Sequence, residues 1–316
     1  LEKIVVMDKS FLGIEIGGTK LQIFLCDENG NLTYKIKEDV GYTKEASKIL
    51  ALIERIIRTD ILTTNDQILA VGIGFGGPID IKSGSIYNSY QVNGWDDFEL
   101  SRWINKIINA PVYIENDANL AALAEACKGA GKDYEGVFYV TIGSGVGGGF
   151  ILNKKIFHGH GKGESEIGHI RLNKSGLTFE NACSGWVMDK KIRETKQQYP
   201  ESKIAKIIKG QNGPEAKYLI SAIQEDCEVA KGIFSELTDD IAFALSHVIH
   251  LLNPDTIIIG GGLSLMGEIL VQEIRIKIPN YIMDILRPGP TICLSELKED
   301  VVAIGALLLA MEKYKS

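Results

Sequence analysis

The sequence predicts an α/β protein of two domains built on one plan, packed face to face with a cleft between them. Three observations predict this. The chain has 316 residues, about two domains at roughly 150 residues each. A strand–glycine turn–strand pattern at the start of the chain returns near residue 136, as duplicated architectures require. No low-complexity linker separates the halves, which favours packed domains over tethered ones.

Phe11–Ile16 is an apolar run that ends in Gly17-Gly18-Thr19, and Leu21–Cys26 is a second one. Asn29-Gly30 then turns the chain, because Asn-Gly after an apolar run is a hairpin signal. Ala46, Ile49, Leu50, Ile53, Ile56 and Ile57 recur at helical spacing and predict a helix over 43–58. Ile68–Ile73 is a short buried strand stopped by Gly74-Phe75-Gly76-Gly77-Pro78. Pro111–Ile114 is another, running into Glu115-Asn116-Asp117-Ala118-Asn119. The Ala-rich segment Leu120–Cys127 follows as a helix with an Asn or Asp cap.

Val137–Ile142 repeats the opening strand, ends in a glycine turn over 143–149, and leads to a second strand and turn at 151–155. A long apolar-periodic helix, roughly 233–252, precedes a third strand–glycine unit, Thr256–Ile259 with Gly260-Gly261-Gly262. Residues 200–214 are polar and weakly patterned, which predicts a loop or short helices.

Composition narrows the function. Lys and Arg number 34 against 41 Asp and Glu, a net charge of −7, which argues against a nucleic-acid or anionic-membrane partner. Cys26, Cys127, Cys183, Cys227 and Cys293 are odd in number, far apart and contain no C-x-x-C. A disulfide framework is not expected and a reducing compartment fits. No apolar run approaches the roughly 18 residues of a membrane span. No apolar signal segment precedes Asp8-Lys9. A soluble cytoplasmic protein is expected.

Glycine without a side chain lets backbone N–H groups close on an anion. Three glycine turns, each after an apolar β-run, therefore predict phosphate cradles. The first leads into a strand rather than a helix, so it is not a dinucleotide fingerprint. The P-loop pattern is also absent.

The segments GIEIGGTK (13–20), GIGFGGPI (72–79), IENDANLAALAE (114–125), TIGSGVGGGF (141–150), EIGH (166–169) and IIIGGG (257–262) together resemble the ROK family of sugar kinases and sugar-responsive repressors. The resemblance spans essentially the whole chain and keeps the family's order. It implies the two-domain actin-like ATPase fold, ribonuclease H-like in each half. On this reading residues 1–118 with about 300–316 form a small α/β domain and 119–299 a larger one. Repressor members carry an added N-terminal helix-turn-helix. With the first phosphate turn beginning at Gly17, that domain is expected to be lacking, which favours a kinase.

The resemblance also implies the site. Gly17, Gly18, Thr19 and Lys20 are expected at the phosphates of ATP, with Gly143, Ser144 and Gly145 as the second phosphate turn and Gly261 and Gly262 beside the adenosine. Asp117 is expected to be the base that takes the proton from a hexose 6-hydroxyl. Read from the residues alone, an Asp there is equally a helix N-cap; Asn116 or Asn119 is then left to cap. Asn116, Asp117, Glu166, His169 and Glu180 are expected at the sugar, with the Gly76-Gly77 backbone beside them. Glu166 and His169, three apart, share a side if their segment is helical. Trp95, Trp103 and Trp186 are candidates for stacking on a sugar or for the core.

Two departures from the family pattern stand out. Relatives hold a structural zinc through three cysteines and a histidine; here 170–178 contains no cysteine and Cys183 lies beyond the motif. One thiolate does not complete a tetrahedral site, so no structural zinc is expected. His158, His160 and His169 are the rival metal set. Glu15 stands where the family has Asp, which orients Mg²⁺ through water, and glutamate reaches one methylene further. A misplacement of about 1 Å costs on the order of a hundredfold in rate.

The expected protein is thus an ATP- and Mg²⁺-dependent hexose 6-kinase, glucokinase-like, acting on a small-molecule sugar as a homodimer. The alternatives are an N-acetylmannosamine or other amino-sugar kinase, and a sugar-binding regulatory protein of weak catalytic power.

Overall fold

The computed structural model describes residues 8–41, 43, 45–64, 66–89, 92–160, 165–211 and 213–315. The chain forms two compact units: Leu1–Ala124 with Gly159–Glu164 and Glu299–Ser316, and Glu125–His158 with Ser165–Lys298.

The first unit opens with β1 (Lys9–Ile16), β2 (Lys20–Asp27) and β3 (Leu32–Asp39), followed by α1 (Ala46–Ile56) and β4 (Gln67–Phe75). A two-residue pair, β5 (Ile79–Asp80) and β6 (Ser85–Ile86), comes next, then α2 (Leu100–Ile108), β7 (Val112–Asn116) and α3 (Asp117–Lys128). The sheet order is β3-β2-β1-β4-β7. β1 runs antiparallel to β2 and parallel to β4, and β4 is parallel to β7.

In the second unit β8 (Gly136–Ile142), β9 (Val146–Leu152) and β10 (Lys155–Ile156) repeat the meander. The helices α4 (Phe179–Cys183), α5 (Gly185–Gln198), α6 (Lys203–Ile207), α7 (Leu219–Gln224) and α8 (Glu228–Leu252) lead to β11 (Thr256–Gly260). Then come α9 (Glu268–Lys277) and β12 (Thr291–Leu294), and α10 (Val301–Lys315) returns to the first unit. The second sheet has the order β10-β9-β8-β11-β12, the same topology as the first.

The central strands read as continuous apolar runs because both faces are covered. Leu12, Ile14 and Ile16 of β1, with Leu21, Ile23 and Leu25 of β2, pack against α1 and α2 through Ile49, Ile53, Leu100 and Ile104. The alternate residues Phe11, Phe24, Cys26 and Ala70 pack against Ala303, Leu307 and Ala310 of α10. A period of 2 thus splits each strand between two cores. α10 lies directly on the sheet backbone: a Cβ on Gly72 would stand 1.9 Å from the Ala306 carbonyl oxygen, and one on Gly13 2.7 Å from that of Ala303. In the second unit Phe138, Val140 and Ile142 meet Leu237, Ile241 and Leu245 of α8.

The sequence expectations meet one correction. Residues 146–149, expected in the glycine turn, belong to β9, which begins at Val146 rather than 151. Pairing with β8 and close packing on Phe138 and Ile167 explain it: a Cβ on Gly148 would come within 3.0 Å of both. The reversal after β9 is at Asn153-Lys154, both with positive φ. Among residues 200–214, Lys203–Ile207 is a short helix with Ser202 accepting from the Ala205 N–H, so the region is partly helical. No helix among the described residues is long and apolar enough to cross a membrane.

Candidate active site

In the first unit the β1–β2 reversal is tight: the Gly17 N–H donates to the Lys20 carbonyl at 2.9 Å. Glu15, the last residue but one of β1, is buried, and burial pushes its carboxyl up despite the ion pair with Lys20. Lys20 Nζ lies 2.8 Å from Glu15 Oε1 and donates to the Glu299 carbonyl at 2.9 Å. Thr19 is exposed at the turn.

A second group stands next to this turn. The Gly76 N–H donates to the Ile16 carbonyl at 3.4 Å. A small, shallow recess is lined by Gly17, Gly18, Phe75, Gly76, Ser89 and Trp95. Trp95 is buried and packs in T-shaped contact with Phe75 and Phe98, ring centroids 5.3 and 5.6 Å away, so it is a wall rather than a free platform. Asp117 opens α3 behind one wall of this recess: its Oδ2 would be 3.0 Å from a Cβ on Gly76. Gly77 lies against Phe75 and the Asn88 carbonyl.

Capping divides between the two residues that compete for it. Asn116 Oδ1 accepts from the N–H of Ala118 at 2.9 Å and of Asn119 at 3.3 Å, the N-cap pattern. Asp117 Oδ1 also accepts from Ala118 N–H, at 2.8 Å, which leaves Oδ2 toward Gly76. Beneath them the buried Glu115 carboxylate accepts from Asn116 N–H and Asn119 Nδ2 and fixes the strand-to-helix corner. Burial pushes the Asp117 carboxyl up to about 6, the Ala118 N–H pulls it down and the Glu15 charge adds to the rise. A carboxylate poised near neutrality at a recess is suited to proton transfer.

The remaining candidates belong to the second unit. The second turn is closed by Gly143 N–H on the Gly145 carbonyl, at 2.9 Å. Glu180, on α4, holds this turn: its Oε2 accepts from Val146 N–H at 2.8 Å and would be 2.6 Å from a Cβ on Gly145. The third turn abuts the second. A Cβ on Gly261, at φ +77°, would strike the Ile142 backbone at 2.6 Å, and one on Gly143 would be 3.9 Å from Gly262 N. Gly262 faces open space, and Ser144 is exposed. Gly185 N–H donates to the Gly143 carbonyl at 2.7 Å, which sets the start of α5, with exposed Trp186, at the same place.

Glu166 and His169 flank a 3₁₀ turn, Ile167–His169, and both are exposed. The glycine between them is required: a Cβ on Gly168 would be 2.3 Å from the Val146 carbonyl, so this turn is pressed onto the second glycine turn. Cys183 is buried in the apolar core, where burial pushes its thiol up. Among the described residues no three His, Cys, Asp or Glu side chains are grouped to hold a metal, which speaks against the set His158, His160 and His169.

Sequence reading missed Gln22. It is buried, donates Nε2 to Glu15 Oε2 at 2.6 Å and to the Glu299 carbonyl at 2.7 Å, and its Oε1 has no partner. The signal was present in the turn length, which pairs residue 15 with residue 22 across the hairpin.

The donor set suits a hydrated Mg²⁺ beside nucleotide phosphates. Such an ion takes one or two carboxylates, keeps several waters and shares phosphate oxygens. Glu15 would supply the carboxylate, and the orphaned Gln22 Oε1 lacks a hydrogen that a metal-bound water would carry. The second and third glycine turns, which abut within the second unit, leave open space at Gly262 that suits part of a nucleotide.

Two duplicated α/β units carrying glycine turns and a carboxylate at a strand-to-helix corner are the architecture of the actin-like ATPase fold. The ROK family model matches residues 11–313, and the chain belongs to that family. The chain is 29% identical to the glucokinase of Thermotoga maritima over 96% of this chain and 97% of that protein. It is 24% identical to the xylose repressor of Caldicellulosiruptor bescii over 96% of this chain and 78% of that one. The solved structure of a ROK family glucokinase from Streptomyces griseus, in complex with glucose and AMPPNP, superposes with a TM-score of 0.81 at 28% identity, covering 96% of this chain and 99% of that one.

Proposed function

We propose that the chain is an ATP-dependent kinase that moves the γ-phosphoryl group to the 6-hydroxyl of a hexose, with glucose as the first sugar to test. The observation that carries this is the Asp117 carboxyl, raised to about 6 with Oδ2 toward Gly76, which lines one recess with Gly17 and Gly18. Relatives named glucokinase, aligned over nearly the whole chain, support it.

Asp117 Oδ2 accepts the hydroxyl proton as the sugar oxygen bonds to phosphorus and the bond to the departing ADP oxygen breaks. Asn116, Glu166, His169 and Glu180 orient the sugar hydroxyls. Gly17–Lys20 and Gly143–Gly145 hold phosphate oxygens through backbone N–H groups, and Gly261 and Gly262 admit the adenosine. Bound Mg²⁺ neutralises phosphate charge. Glu15 is the residue that would hold it, generally through water, and Lys20, paired with Glu15, adds a positive charge on the phosphate side of the turn. A second reading, a sugar-binding regulator with weak turnover, draws on the Glu15 carboxylate being engaged by both Lys20 and Gln22.

The test is coupled ADP release with Mg-ATP over glucose, mannose, fructose, N-acetylmannosamine, N-acetylglucosamine and 6-deoxyglucose. Turnover with a hexose and none with the 6-deoxy sugar supports the reading. Sugar binding by calorimetry without any turnover supports the regulator.

Two further results are expected. The base works ionised, so kcat/KM rises tenfold per pH unit below about 6 and levels above it; a profile flat from pH 5 to 8 removes Asp117 from the role. Glu180 holds the second glycine turn as well as standing at the sugar. Glu180→Ala therefore raises KM for both ATP and sugar, each on the order of tenfold, whereas His169→Ala raises KM for the sugar alone.

A further inference from the structure

Glu15 and Gln22 face each other in the β1–β2 ladder, on the sheet face covered by α10. We infer that Gln22 is a positioning residue for Glu15: it fixes the longer acid where a hydrated Mg²⁺ on the nucleotide is held. The inference rests on the kinase reading.

A glutamate has one more rotatable bond than an aspartate and needs restraint to present its carboxylate in one place. Gln22 and Lys20 supply it from opposite oxygens. Nε2 of Gln22 lies 2.6 Å from Oε2, and Nζ of Lys20 lies 2.8 Å from Oε1. Both donors also reach the Glu299 carbonyl, at 2.7 and 2.9 Å. The lead-in to α10 thus anchors the pair. The amide orientation is determined by chemistry: turned over, Gln22 would set its oxygen against a carboxylate and a carbonyl. Its Oε1 is consequently buried beside Glu15 with no donor among the described residues. A buried acceptor without a hydrogen is costly, and water on a bound cation supplies one. Gln22 therefore restrains Glu15 through nitrogen and accepts from the cation's water through oxygen.

The experiment is calorimetric titration with ADP, without sugar, in Mg²⁺ and in EDTA. It uses the full chain and the variants Gln22→Met, Gln22→Glu and Glu15→Asp/Gln22→Ala. The wild type is expected to bind ADP more tightly in Mg²⁺. Gln22→Met, of similar volume, keeps the affinity in EDTA and loses about tenfold of the Mg²⁺-dependent gain, the scale of a charge-assisted hydrogen bond. Gln22→Glu loses it likewise. The double variant regains part of it, because aspartate needs less restraint while the acceptor that Gln22 offered is gone. In turnover, KM for Mg-ATP rises more than kcat falls. A folded Gln22→Met or Gln22→Glu with the wild-type Mg²⁺ gain, or an equal loss in EDTA, overturns the inference and leaves the kinase reading standing. A wild type whose ADP affinity is indifferent to Mg²⁺ overturns both.

Discussion

Asp117→Asn is expected to lower kcat by on the order of 10³-fold, within the 10²–10⁴ range of general-base contributions, while making the protein more stable at neutral pH. Asparagine keeps an oxygen for the Ala118 N–H but cannot accept the hydroxyl proton. The stability gain follows from the raised carboxyl. In the fold it titrates near 6, above the ordinary 3.8. Between those values the folded state binds more protons than the unfolded chain, so stability falls as pH rises through the window. The cost of the charge is absent below about pH 4 and complete above about pH 6. Removing it stabilises the variant by about 1–3 kcal/mol at pH 7.5 and by nothing at pH 4. Denaturant unfolding at both pH values, beside steady-state kinetics, checks the two halves. A variant that loses both activity and stability at pH 7.5 marks Asp117 as structural.

Gly72→Ala is expected to have the largest effect on stability. The added methyl would stand 1.9 Å from the Ala306 carbonyl oxygen and 2.8 Å from its carbon, both α10 backbone. No rotamer relieves a clash between backbones, so α10 must lift from the sheet. Gly305 repeats the constraint from the helix side, with 2.1 Å to the Leu120 carbonyl. Overpacking of this severity costs about 3 kcal/mol or more, and a large share of a typical total stability. Gly232→Ala is the matched control. Gly232 lies in α8 with nothing within 4 Å of the added Cβ, so the same substitution stabilises by about 0.5–1 kcal/mol. Opposite signs for the two, read from urea midpoints, bear out the packing account. Equal small effects contradict it.

The strand–glycine–strand repeat was legible because periodicity and turn chemistry are local. It located β1, β2, β8 and β11 within a residue or two of their observed ends. Glycines 147–149 misled for a physical reason. A glycine run reads as a turn, yet here it thins a strand so that Phe138 and Ile167 can close on it. The edge strand β3 and helix α10 carried too little signal of their own: β3 alternates exposed and half-buried residues, and α10 is apolar all round because it is covered on several sides.

The site was legible as residue types and only partly as geometry. Asn116 taking the cap from Asp117 follows from local spacing. That Glu180 grips the Val146 N–H, and that Gly168 must lack a side chain to pass Val146, depends on contacts across the fold that no local window contains. Glu125 shows the converse. It closes the motif at 114–125, and its buried carboxylate accepts from Ala130 N–H, Ser295 Oγ and Leu297 N–H, which is a bracing role.

The most direct measurement is phosphorus NMR of glucose and Mg-ATP incubated with the wild type and with Asp117→Asn. A hexose 6-phosphate resonance is expected to grow with ADP for the wild type and to be absent, on the same timescale, for the variant. Equal product from both proteins, or ADP and inorganic phosphate without any sugar phosphate, would contradict it.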